Sequence, residues 1–273
     1  MKQDSAFPSH QSLGTSRLPR VTTHFKPCVV VDLGLIHYAE ACNLQRRLVA
    51  ARKAEAIEDV LLLCEHPHVI TLGRNAKREN LLATDRVLQQ KNVEVHTTDR
   101  GGDITYHGPG QVVVYPILNL AAIRRDVGWY VRMLEETMIR TTGEYGFSAE
   151  RESGKTGIWV ADRSQASPAE KLGAIGVHLS RWVTSHGFAY NVSTDLRYFD
   201  LIVPCGIPDR KATSLEKLTN CAVDKREVAA SLVRHFAEIF GFDTTSITST
   251  ELLARLQHIE SSVHESQPAA VSA

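Results

Sequence analysis

The chain has 273 residues, 43% hydrophobic and 23% charged, and a prior of about 150 residues per domain allows one large domain or two small ones. Thirty-one Lys and Arg balance 31 Asp and Glu, so no global positive field exists to gather nucleic-acid phosphates. No apolar run approaches the ~18 residues of a membrane-spanning helix, and no apolar stretch follows Lys2 as a secretory signal requires.

In chain order, residues 1–24 are rich in Ser, Thr, Pro and Arg without hydrophobic periodicity and read as a mobile N-terminal tail. A strand at Val29–Leu33 precedes a helix marked by Tyr38, Ala41, Cys42, Leu48 and Val49. Strands follow at Val60–Cys64, Val69–Leu72, Val93–Thr97 and Gln111–Pro116. The run Val112-Val113-Val114 predicts a strand covered on both faces. Val127, Tyr130, Val131, Leu134 and Met138 form the apolar stripe of a second helix. Further strands fall at Gly157–Val160, Ala174–Leu179 and Gly187–Val192. Asp224 and Glu227 make a capping box before Val228, Leu232, Phe236, Ile239 and Phe240, and Gly241 supplies the stop. A short helix, Thr250 to His258, precedes a second mobile tail. No linker, repeat or charge run divides the chain. The expectation is a single α+β domain over 25–243, a mixed β-sheet flanked by helices, with 244–273 as a C-terminal extension.

Three segments carry candidate chemistry. The first, Arg100 to Gln111, holds four glycines in twelve residues, which let backbone come close to a ligand and turn amides into a pocket. Arg100 and His107 bracket it and could hold polar ligand groups; two tight turns around a short hairpin strand would use the same glycines. In the second, Lys171-Leu172-Gly173-Ala174-Ile175-Gly176-Val177, a lysine enters a small-residue apolar strand. Desolvation would lower its pKa and make it a base near neutral pH, whereas a strand-edge lysine reaching into water has no such role. The third is Pro204-Cys205-Gly206-Ile207. The five cysteines are odd in number and scattered, which suits free thiols in a reducing, cytoplasmic setting. Cys28, Cys42 and Cys64 lie in apolar contexts and Cys221 lacks glycine-rich neighbours, so Cys205, in a turn, is the best candidate for a reactive thiol, an inert turn thiol being the alternative. Cys64, His66 and His68 alternate like metal ligands, but Pro67 interrupts them and no second ligand pair has metal spacing, so no metal is expected. Gly154-Lys155-Thr156 lacks the upstream glycine of a phosphate loop, since position 149 is Ala.

Together these segments resemble the octanoyltransferases, the lipoyl(octanoyl) transferases of lipoate biosynthesis. The matching residues are Glu65 to Arg74, Arg100 to Gln111, Gly157-Ile158-Trp159-Val160, Lys171 to Gly176, His186 to Asn191, and Pro204 to Ile207, in family order over roughly residues 30–240. The resemblance implies the fold of the biotin/lipoate protein ligases. It places Cys205 as the acyl-accepting nucleophile and Lys171 as its basic partner. Family substrate contacts map onto Arg100, Gly101, Gly102, Asp103, Ile104, Thr105, Tyr106 and His107, onto Ala174, Ile175 and Gly176, and onto Gly187, Phe188 and Ala189. The implied donor is octanoyl-acyl carrier protein, and the implied acceptors are lysines on lipoyl domains of 2-oxoacid dehydrogenase E2 subunits and on the glycine cleavage H protein. No cofactor is implied. Both protein partners are typically acidic, so a basic rim is expected, with Arg74, Lys77, Arg78 and Lys211 as candidates. Competing readings are an ATP-dependent lipoate ligase, a transferase moving octanoyl between lipoyl domains, and a non-catalytic acyl-carrier-binding module.

Overall fold

The computed structural model describes residues 25–161, 168–203 and 211–265. Its strands assemble an eight-stranded mixed sheet in the order β11 (Phe242–Ser246), β1 (Lys26–Leu35), β2 (Asp59–Glu65), β6 (Gln111–Ile117), β10 (Val183–Asn191), β9 (Glu170–Ser180), β8 (Lys155–Val160) and β7 (Ala149–Glu152). β1 is parallel to β11 and β2, and the remaining neighbours are antiparallel. A smaller sheet pairs β3 (Val69–Leu72) with β4 (Glu94–Thr97) in parallel and with β5 (Ile104–His107) antiparallel.

The valine run behaves as its composition predicts. Every residue of β6 is buried, with Val112 and Val114 in one apolar core and Val113 and Tyr115 in the other. The first core lies under α3 (Val127–Glu144) and α5 (Lys225–Phe240), which contribute Tyr130, Leu134, Met138, Leu232 and Phe236. The second lies under α1 (Tyr38–Lys53) and α6 (Ser249–Glu265), through Ala41, Leu48, Leu252 and Leu256. The starts of α3 and α5 carry aspartate caps, the one on α5 falling on the Arg226 amide rather than on the Glu227 amide of a capping box. Asp126 caps α3 by accepting from the Trp129 amide at 2.8 Å, and Asp224 caps α5 by accepting from the Arg226 amide at 2.8 Å. Gly241 ends α5 at φ +71°, a left-handed turn that glycine adopts without strain.

The sequence reading omits β7, β11, α2 (Asp85–Gln90) and α4 (Leu215–Thr219), all of them too short to show a hydrophobic period, whereas β5 is the short strand that one reading of the glycine-rich segment expects. The last helix is also longer than expected, and its Leu252 and Leu256 are built into the second core. Among the described residues no helix is long and apolar enough to cross a membrane.

Candidate active site

The floor of the site is set by the register of β9 and β10. Ala174 pairs with Ala189 and Gly176 with Gly187, so two strands meet with almost no side chain between them. The glycine-rich segment closes over this strip. The Gly101 amide donates to the Val177 carbonyl at 2.9 Å, and a Cβ on Gly176 would stand 3.0 Å from both Arg100 Cδ and the Gly101 carbonyl oxygen. Gly73, at the end of β3, is packed as tightly, since a Cβ there would lie 2.4 Å from the Gly102 carbonyl oxygen. Gly102 itself sits at φ +87°, a left-handed conformation in which a side chain would be strained. Strip and loop enclose a cavity of about 480 Å³ that ends at Lys171 on one side and at Tyr38, Tyr115 and His186 on the other.

Arg100 hangs this loop from β3. Its buried guanidinium donates through Nε to Thr71 Oγ1 at 3.1 Å and through Nη2 to the Thr71 carbonyl at 2.6 Å. The positive charge therefore stays at the cavity wall. Asp103 organises the other end of the loop. Its Oδ1 accepts from the Ile104 amide at 2.8 Å and its Oδ2 from Asn80 Nδ2 at 2.5 Å. The Asn80 carbonyl in turn accepts from the Val203 amide at 2.8 Å, which ties the loop to the chain just before Pro204.

His107 shows its tautomer through its neighbours. Gln111 donates from Nε2 to Asn191 Oδ1 at 2.8 Å, so its Oε1 is the acceptor, and His107 Nδ1–H donates to it at 2.7 Å. Complete burial lowers the His107 pKa to about 3, so the ring is neutral with its Nε2 lone pair free of a proton. His66 is likewise neutral, with burial lowering its pKa to about 4. Its Nδ1 bonds the Ile36 carbonyl at 2.7 Å and its Nε2 the Tyr115 hydroxyl at 2.7 Å. His68 bonds the Tyr106 hydroxyl instead, at 2.7 Å, and so turns away from the neighbouring pair, in which Cys64 Sγ lies 3.6 Å from His66 Nε2.

Lys171 lies in β9 beside Trp159 of β8. Its Nζ donates to the Thr156 carbonyl at 3.1 Å and stands 4.6 Å from the centre of the Trp159 ring. Its backbone is held from the other side, with the Lys171 amide donating to the Lys211 carbonyl and the Thr213 amide to the Lys171 carbonyl, both at 2.9 Å. Cys205 lies outside the described residues. The other thiols are described: burial raises the pKa of Cys28, Cys42 and Cys64, which favours inert protonated sulfur, and Cys221 is exposed.

The structure thus brings together Arg100 to Thr105, His107, Lys171, Ala174, Gly176, Gly187 and Ala189 around one cavity. Ile175 and Phe188, partners across the two strands, border it while packing into the α3/α5 core. Tyr106 is not brought there. Alternation along β5 turns its ring into a separate cluster, stacked 5.2 Å from Tyr198 and edge-on to Phe199. The sequence reading did not single out Tyr38, Tyr115, Thr156 or His186 as site residues. A phenol inside an apolar strand was the available signal for Tyr115, and a histidine ahead of Gly187 the signal for His186.

Comparison with known proteins agrees with this geometry. Residues 37–237 match the family described as the lipoyl protein ligase A/B catalytic domain. An octanoyltransferase of Solibacter usitatus is 54% identical over 217 residues, covering 79% of this chain and 94% of that protein. An octanoyltransferase of Acidobacterium capsulatum is 49% identical, covering 78% and 89%. In fold the chain is similar to a bi-partite lipoate protein ligase of Thermoplasma acidophilum, with TM-score 0.65, 13% identity and coverage of 89% and 94%. It is also similar to lipoate-protein ligase A bound with ATP, with TM-score 0.64, 14% identity and coverage of 89% and 95%. The chain belongs to the lipoyl protein ligase A/B catalytic-domain family and, within it, to the octanoyltransferases.

Proposed function

We propose that the protein transfers an octanoyl group from acyl carrier protein to a lysine amine of a lipoyl domain, through a thioester on Cys205. The observation that carries this reading is the cavity itself: an Ala/Gly-floored space of about 480 Å³ with Lys171 at one end. The Lys171 backbone also pairs with Lys211, six positions beyond Cys205 in the sequence.

The chemistry suits these groups. Lys171, as the free amine, takes the Cys205 thiol proton, and the thiolate attacks the octanoyl carbonyl. The tetrahedral oxyanion collapses, the carrier's thiolate leaves, and it takes the proton back from the Lys171 ammonium. One thioester has replaced another, so this half-reaction is close to balanced. The acceptor amine then attacks the Cys205 thioester and gives its proton to Lys171. Cys205 leaves as thiolate and is reprotonated, and a more stable amide has formed. Amides of the glycine-rich loop are suited to stabilise the developing oxyanion.

Intact-mass spectrometry of the protein mixed with octanoyl-acyl carrier protein, without ATP, should show one added octanoyl group that hydroxylamine removes. Cys205→Ala should abolish both the adduct and amide formation. Lys171→Ala should slow acylation at neutral pH by about 10²- to 10⁴-fold, the usual share of general acid–base catalysis. A Cys205→Ala protein that still transfers octanoyl, or transfer that requires ATP, would overturn the reading.

A further inference from the structure

Behind the acyl cavity, on the far side from Lys171, lies a second depression of about 750 Å³. It runs between α1, the β9–β10 ribbon and the Thr97–Asp99 segment, and α1 lines it with the apolar Cys42, Val49 and Ala50 and the polar Gln45, Arg46 and Lys53. Two side chains, Tyr38 and His186, border both spaces. Each is nearly fully buried, at 3% and 6% exposure, so the wall between cavity and groove is one side chain thick.

This wall is held by one short segment. The Tyr38 hydroxyl donates to Thr98 Oγ1 at 3.1 Å, and His186 Nε2 bonds Asp99 Oδ1 at 2.8 Å. Gln45 of α1 accepts from the His186 amide through Oε1 at 2.7 Å. His186 keeps φ +54°, a left-handed conformation that strains a non-glycine residue. Such strain persists only where the surroundings over-determine it, and here it accompanies a side chain that borders both the cavity and the groove. Tyr38 backs it, its ring parallel to that of His107 within 12°.

We propose that Tyr38 and His186 form a partition that fixes the longest acyl chain the cavity holds, and that the groove behind it is where a longer chain goes once the partition is removed. This rests on the acyl-transfer reading above. A chain with its carbonyl beside Lys171 and its body along Ala174, Gly176, Gly187 and Ala189 runs its methyl end into these two rings. Beyond them the groove offers apolar α1 surface at Cys42, Val49 and Ala50.

The test compares acyl carrier protein loaded with eight- and twelve-carbon chains. The wild type should acylate much faster from the eight-carbon donor. Tyr38→Ala, and His186→Gly, which keeps the left-handed backbone without strain, should raise the twelve-to-eight ratio of kcat/KM at least tenfold. Burying one methylene is worth about fourfold in affinity, so four added methylenes leave ample margin. In the Tyr38→Ala background, Cys42→Phe refills the groove and should return the ratio toward wild type. Tyr38→Leu serves in place of Tyr38→Ala if that variant does not fold.

Calorimetric binding of free octanoate and dodecanoate to the same proteins reads the partition without turnover. If no donor acylates the wild type, the transfer reading fails, and dodecanoate binding still decides the partition. An unchanged preference in folded variants of both Tyr38 and His186, in turnover and in binding, would overturn the proposal.

Discussion

The two faces of the β9–β10 ribbon share one backbone ladder and are filled in opposite ways. Toward α3 and α5, Ile175, Val177, Phe188 and Tyr190 pack into the first core. Toward the small sheet, the same strands present Ala174, Gly176, Gly187 and Ala189, and a cavity takes the place of side chains. Period-two alternation lets one strand do both. The helix side is filled by the first apolar core; the cavity side is roofed by a glycine-rich loop hung from Thr71 through Arg100. Stability and site are thus carried by different residues of the same strands, and substitutions on the two faces should separate cleanly.

The largest expected effect is on the filled face. Leu134 of α3 is fully buried in that core, and Leu134→Ala should cost about 2–5 kcal/mol in urea unfolding. Octanoyl transfer per folded molecule should hardly change. A drop in transfer as deep as the drop in stability would mean that the two faces are coupled through the strands.

Acid should strike the cavity side. His66, bonded to the hydroxyl of the cavity-lining Tyr115, has its pKa lowered by burial from the ordinary 6.5 to about 4. Protons therefore bind the unfolded chain more tightly. The stability tied to neutral His66 is complete above pH 6.5 and is lost as the pH falls toward 4, by about 3 kcal/mol. His107, lowered to about 3, extends the same trend to lower pH. Unfolding followed against pH should show this slope, and His66→Gln should flatten it between pH 6.5 and 4. An unaltered slope in that variant would place the acid sensitivity elsewhere.

The filled face was the legible one. Large apolar residues repeat at 3.6 or 2 positions, so Leu134, Met138, Phe236 and the run at 112–114 indicated helices, a both-sides-buried strand and a mixed sheet. The cavity face speaks through small residues, and Ala174-Ile175-Gly176 reads only as a weak strand until its register against Gly187 and Ala189 is known. The glycine-rich segment was visible as a site while its two readings stayed open, and the structure shows both features: β5 is a short paired strand, and its flanks wall a cavity. Tyr106 went with its neighbours in the sequence, but alternation along β5 sends it to the opposite side. Tyr38 and His186 belong to the cavity through contacts with Thr98 and Asp99, 60 and 87 residues away in the chain, which no local pattern encodes. Lys171 and Cys205 stood out through family resemblance more than through local chemistry.

The smallest effect is the sharpest test of the comparison, because it asks whether the empty side is empty for a reason. Ala174→Val adds two methyl groups to the strip opposite Ala189, pointing into the cavity. Valine suits a strand, and Ala174 lines the cavity, so unfolding free energy should stay within about 0.5 kcal/mol of wild type. The added groups take space that two methylenes of an acyl chain would fill. At about 0.8 kcal/mol for each, kcat/KM for octanoyl transfer should fall about tenfold. Had the strip been ordinary core, the same change would overpack it, cost about 1–3 kcal/mol and leave acyl transfer to follow the folded fraction. Stability held with activity lost would show that the missing side chains of β9 and β10 are what the substrate replaces.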